Sequence, residues 1–371
     1  MSLSRAGLAF VLAALASCAQ GDAEPAPPDD ESRAGSAGRP AGGAPALADG
    51  GAVGDGGALA DGGPAAGAGG TSATPPSGVE PSDGGAAPAL VACLDFTQPV
   101  AVGSIDLAEL DQLSGLVASR AQPGVLFAHE DSTGAPIVYG LDTSGRTLLA
   151  LTLEGAPNTD WEDIAVGPGP DGSSQLFIGD IGDNAVRTGG TPRAEIQVLR
   201  FPEPELATSA AFAERSLANV DVLRLRYPEG VHESETLMVH PLTGDLFIVT
   251  RSTTGDSRVY RAPASTPVDT PTVLEEIARV AFAPSGQGAL ATAGDISPNG
   301  DRVLLRTYTD VYVWPLAAGT SLDAAFRLEP RVIPWAVEPQ GEGVGFTADG
   351  TAWLAAGELS SNIYRAEATC P

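Results

Sequence analysis

Oxygen donors dominate the groups in this chain that could do chemistry. Acidic side chains recur in short motifs. They are Trp161-Glu162-Asp163, the run Asp180-Ile181-Gly182-Asp183-Asn184, Glu233 and Glu235, Asp295, and Glu342 with Glu358 after it. Arg251 and Arg306 stand among them. Carboxylates are hard ligands that suit calcium first and magnesium second. The Asp180–Asn184 run spaces its oxygens on a glycine-containing loop, though without the spacing of an EF-hand. Taken singly, each such acid also fits a strand end closed by an Asx-turn. The segment His129-Glu130-Asp131 invites an acid–base reading. No G-x-S-x-G elbow accompanies it, so it reads as a polar loop tip.

Several chemistries are excluded by composition. The net charge is −27, from 47 acids against 20 bases, and every base is arginine. Without lysine there is no P-loop, Schiff base or lysine general base. Three histidines (His129, His232, His240) and no clustered cysteines argue against a conventional zinc site. So acidic a surface repels nucleic acid and attracts cations. No nucleic-acid partner is expected.

The elements that must position these acids are short β-rich runs between Gly, Pro, Asp and Asn, from about Leu90 to the end. Only Leu206 to Asn219 looks helical. The runs repeat as four-stranded units. Ser114, Glu162, Glu235, Thr292 and Glu342 mark their openings, at spacings of 48, 73, 57 and 50 residues. Third strands recur near Tyr139, Val198, Tyr260, Tyr312 and Tyr364. A four-stranded period near fifty is the signature of a β-propeller blade. The fold is therefore all-β, a propeller of five blades. A sixth, degenerate blade within residues 185–230 is the alternative.

The fifth unit runs out of chain after its third strand, and Val100 to Ile105 supplies the missing fourth, sealing the ring. That pairing brings Cys370 beside Cys93, and the two cysteines suit a disulfide in an oxidising compartment. The tryptophans Trp161, Trp314, Trp335 and Trp353 read as blade packing, with Trp161 of interest because it adjoins an acid pair.

Residues 1–17 read as a signal peptide. Arg5 precedes a small-apolar run from Ala6 to Ala16 that is too short to span a bilayer. Leu15-Ala16-Ser17-Cys18 resembles the bacterial lipobox, which implies lipidation of Cys18. The membrane is then a partner through acylated Cys18, and Ala19 after it resembles outer-membrane sorting. Residues 18–90 form a Gly/Ala/Pro/Asp-rich segment that cannot offset its ordering entropy and reads as a disordered tether. Residues 91–371 are the propeller domain. The expected location is the cell envelope, at the outer membrane or cell surface.

In a propeller, the loops into the innermost strand and out of the second strand share one face. Glu162, Asp180, Asp183, Glu235 and Glu342 are the expected ligands of a calcium ion there. Asp163, Arg251, Asp295 and Arg306 are the expected contacts to a small-molecule or protein ligand. Carboxylates gathered near a dry axis stay ionised only if a cation or an arginine neutralises them.

At these residues a resemblance appears. Trp161 to Ala165, then Leu176 to Asn184, Glu235 to Met238 and Gly294 to Gly300 resemble motifs of a widespread group of exported bacterial propellers. More loosely, the chain is similar to TolB-like and strictosidine-synthase-like propellers, whose usual six blades imply the alternative count. That wider set contains calcium-dependent lactonases and phosphoesterases as well as binding modules. The leading reading is an envelope lipoprotein whose propeller binds a cation and a ligand on its acidic face; the alternatives are a calcium-dependent hydrolase of phosphoesters or lactones, with Arg251 and Arg306 holding the anion, and a protein-interaction scaffold. Fold analogy does not choose among them.

Overall fold

A computed structural model describes residues 92–370, apart from 107–109, 111, 132–134 and 337. The signal peptide, Cys18 and the tether lie outside the described residues.

Five sheets, each built on four antiparallel strands, form a ring, numbered here as blades I to V. Their inner strands are Leu113–Ala118, Trp161–Pro168, Ser234–Val239, Ala291–Ile296 and Gly341–Phe346, each packed on the next around the axis. Buried on both faces, these strands carry small and apolar residues rather than a strict alternation. Gly343 shows why size matters there. A Cβ at that position would come within 2.6 Å of the Leu116 Cβ in blade I.

Five apolar clusters fill the wedges between neighbouring blades. Val117 and Phe127 of blade I meet Trp161 and Ile178 of blade II, for example. Dispersion and apolar burial at these wedges hold the ring together, since the strand-ladder hydrogen bonds run within blades.

The ring closes as expected. Val100–Ser104 pairs antiparallel with Ser360–Glu367 and is the outermost strand of blade V. The pairing continues outward, with the Thr97 N–H donating to the Glu367 carbonyl and the Thr369 N–H to the Asp95 carbonyl, both at 2.8 Å. Beyond it lies the Cys93–Cys370 disulfide, with Cα atoms 5.5 Å apart.

Two expectations fail. The segment Leu206 to Asn219 is not helical; within it Ala213–Leu217 is a strand that joins blade I parallel to Thr147–Leu153. The long second unit therefore holds added edge strands and not a sixth blade. Blade II likewise gains Thr272–Val273, parallel to Asp221–Arg226. His129 is not on a loop tip. It lies in the strand Val125–Glu130, fully buried, with its ring edge-on to Trp161 at 5.6 Å.

Candidate metal centre

Each inner strand has the same irregularity at the same place. Its register against the second strand slips at its second residue: Ser114, Glu162, Glu235, Thr292 and Glu342 have no partner in the ladder. A bulge re-aims a side chain and recurs at functional sites. Five equivalent bulges give a collar of five equivalent residues at the mouth of the axis, three acids and two hydroxyls, all buried.

The hydroxyls serve the backbone. Ser114 donates to the Glu162 carbonyl at 2.8 Å, and Thr292 to the Gly341 carbonyl at 2.8 Å. Glu342 accepts from the Tyr308 hydroxyl at 2.9 Å. Arg251 pairs with Glu235 and donates to the Tyr308 oxygen at 2.9 Å.

Around the collar, the loops add further acids. Glu162, Glu233 and Glu235 each offer an oxygen within 4.8 Å of the others, and Asp131, Asp160 and Glu162 form a second such set. Among the described residues, buried Oε1 of Glu233 and Oε2 of Glu235 have no hydrogen-bond partner. Gly182 packs directly on the second set. A Cβ there would lie 2.7 Å from Asp160 Oδ2 and closer still to Glu162 Oε1.

Burial raises these acids, and their neighbours add to it. Glu162 is held well above the usual carboxylate range by desolvation, then by Glu235, Asp131, Asp160 and Glu233. Desolvation also lifts Glu235, against the attraction of Arg251. Glu233 is pushed up to about 7 by burial and then Asp160. Glu342 rises to about 8 by burial, with Arg251 and the Tyr308 hydrogen bond opposing. Such groups take either protons or a cation. The two oxygen sets contain no thiolate or imidazole, which fits a hard divalent ion.

Of the expected ligands, Glu162 and Glu235 come together, and Glu233 completes their set. Asp180 and Asp183 stand in neither set; both engage Arg193. Its guanidinium donates to Asp180 Oδ1 at 3.0 Å and its backbone N–H to Asp183 Oδ2 at 2.6 Å. Glu342 is also outside both sets.

The expected ligand contacts are differently employed. Asp163 accepts from the backbone N–H groups of Ile164 and, in the next blade, Leu237. Asp295 accepts from Ile296, from Phe346 in the next blade, and from Arg120. Arg306 is fully buried. It donates to Glu338 at 2.6 Å and to the carbonyls of Gly343 and Ala356, lies over the Trp335 ring, and would collide with any side chain at Gly341. An anion arriving from solvent has no access to it. Arg251 alone of these four stands at the mouth, already paired.

No family model matches the chain, and no curated protein matches it. Among solved structures it is similar to a chain in a crystal structure of a mitotic checkpoint complex. The identity is 13% and the TM-score 0.33, over 69% of this chain and 63% of that one.

Proposed function

We propose that this chain is an envelope lipoprotein whose five-bladed propeller binds a divalent cation, calcium, at the acidic mouth of its axis. One observation carries the cation: three buried carboxylates, Glu162, Glu233 and Glu235, bring oxygens within 4.8 Å of one another, and two of the three keep an unpartnered buried oxygen. Unpartnered buried oxygens cost about 1–3 kcal/mol each, and more for charged groups. A calcium ion, which takes six to eight oxygens, would satisfy several at once.

Binding to the native state alone stabilises it by about 2.7 kcal/mol at a hundredfold excess over the dissociation constant. Calcium should raise the melting temperature of metal-free protein, and Glu233→Gln should remove that response while the blades stay folded. A melting curve equally indifferent to calcium and chelator, or a small shift shared by calcium and sodium alike, would sink the cation.

The hydrolase alternative loses support. Of its two anion-holding arginines, Arg306 is enclosed and Arg251 is bound to Glu235 and Tyr308. A scaffold has no need of buried, unpartnered carboxylates.

The lipid anchor rests on Leu15-Ala16-Ser17-Cys18. Cys18→Ala should move the protein out of the membrane fraction, and continued membrane retention would count against acylation.

A further inference from the structure

Among the described residues, Arg251 is the one base that forms a salt bridge with any of the three clustered carboxylates, Glu162, Glu233 and Glu235. It follows Leu246–Thr250, the second strand of blade III, and is fixed at both ends. Its backbone N–H donates to the Glu233 carbonyl at 2.9 Å. Its guanidinium sends Nη1 to Glu235 and Nη2 to the Tyr308 oxygen, and lies 5.3 Å from the centre of the Tyr308 ring. Tyr308 is held in turn, because its hydroxyl donates to Glu342 at 2.9 Å. A line of contacts from blade III through blade IV to blade V keeps one positive charge beside the oxygens.

The pairing leaves a ligand oxygen free. Arg251 engages Oε1 of Glu235, whereas the oxygen without a partner is Oε2. A guanidinium and a cation can therefore share this carboxylate from its two sides.

A guanidinium does not deprotonate in a protein, so the charge is permanent. Glu162, Glu233 and Glu235 carry three negative charges when ionised, and Arg251 reduces the set to two. A divalent ion neutralises the remainder. A trivalent ion of the same size would leave one positive charge in excess away from water, which is unfavourable. Ser114 and the Asp183 N–H also reach Glu162 and Glu233, but they add no charge.

We propose that Arg251 sets the charge preference of the calcium site, favouring divalent over trivalent ions. The inference rests on the cation function above and adds to it the basis of ion selectivity. Arg251 acts through Glu235 and through its field, and is not itself a ligand.

The test is a competition titration of the metal-free full chain with calcium against terbium, a hard trivalent ion of nearly the same size. Both ions bind the same empty protein, so the ratio of their affinities does not depend on what a substitution does to that state. Arg251→Met should raise the terbium-to-calcium ratio by about tenfold or more, the effect of removing one nearby charge from a largely buried site. Arg251→Lys keeps the charge and loses the fork, and its ratio should stay within about threefold of the native one. Circular dichroism in chelator checks that each variant is folded. Should Arg251→Met not fold, Arg251→Gln makes the same measurement and keeps an N–H donor for Glu235. A ratio unchanged in the neutral variant, with calcium still bound, overturns the role of Arg251 and leaves the cation function standing. An equal rise in Arg251→Lys would assign the effect to geometry and overturn it too, as would loss of both ions from a folded neutral variant. Native protein that binds neither ion up to millimolar concentration overturns both readings.

Discussion

Two places in the ring bury carboxylates in opposite ways. Further along the axis, Asp295 has a donor at every turn. Its Oδ1 accepts from the Ile296 N–H and Arg120, and its Oδ2 from the Phe346 N–H and Arg120, all between 2.6 and 2.8 Å. Arg120 goes on to the Phe346 carbonyl, so one ion pair ties blades I, IV and V. At the mouth, Glu162, Glu233 and Glu235 crowd one another, with Arg251 on Glu235 and oxygens left over. The same residue type, equally buried, is a rivet in one place and an open valence in the other. Burial alone does not distinguish a site from a structural acid; the donor count does.

The largest effect that would test this contrast is removal of the Arg120 guanidinium. Arg120→Met leaves Asp295 as a buried charge without its counter-ion, with an expected loss on the order of 3–5 kcal/mol. Chemical denaturation should show the same loss in calcium and in chelator, and the calcium response of about 2.7 kcal/mol should survive. A loss that calcium restores would place Arg120 and the mouth in one functional unit and break the distinction.

Much of this was legible in the sequence, for a local reason. Blade openings repeat because every blade needs the same strand and the same bulge, so Ser114, Glu162, Glu235, Thr292 and Glu342 stood out as unit starts before their geometry was known. Strand pairing then carried the closing strand and the disulfide with it. What escaped was set by loop paths. Arg193 reaches back to Asp180 from thirteen residues away, and Tyr308 reaches Glu342 from another blade, with no local signal for either. Asp160 did leave a signal: it precedes Glu162 by two positions, as Glu233 precedes Glu235, and that repeated acid-x-acid pattern marks the two loops that build the site. The helix expected over Leu206 to Asn219 followed from its alanines. The free edge of Thr147–Leu153 outweighed that propensity and drew Ala213–Leu217 in as a strand.

The smallest effect concerns protons, and Glu342 is the residue to follow because it is raised to about 8 without belonging to either oxygen set. Desolvation lifts it from an ordinary carboxylate value of 4.5. In metal-free protein the folded state therefore keeps a proton that the unfolded state has lost. The stabilisation is fully present below about pH 4.5 and is lost as the pH rises through about 8. One retained proton gives a slope of at most about 1.4 kcal/mol per pH unit between those limits. Other carboxylates lie low and oppose this in acid, such as Asp349 at about 2, so the contribution is best isolated as a difference. Stability measured from about pH 5 to about pH 8 should fall more steeply in the native sequence than in Glu342→Gln, with chelator present. Calcium should flatten the native slope, because cations replace protons on the neighbouring acids and their field draws the Glu342 proton off at lower pH. At the Arg120–Asp295 pair no such calcium-linked slope is expected. Parallel curves for the two proteins, or a slope indifferent to calcium, would mean that the mouth is as fully compensated as the rivet below it.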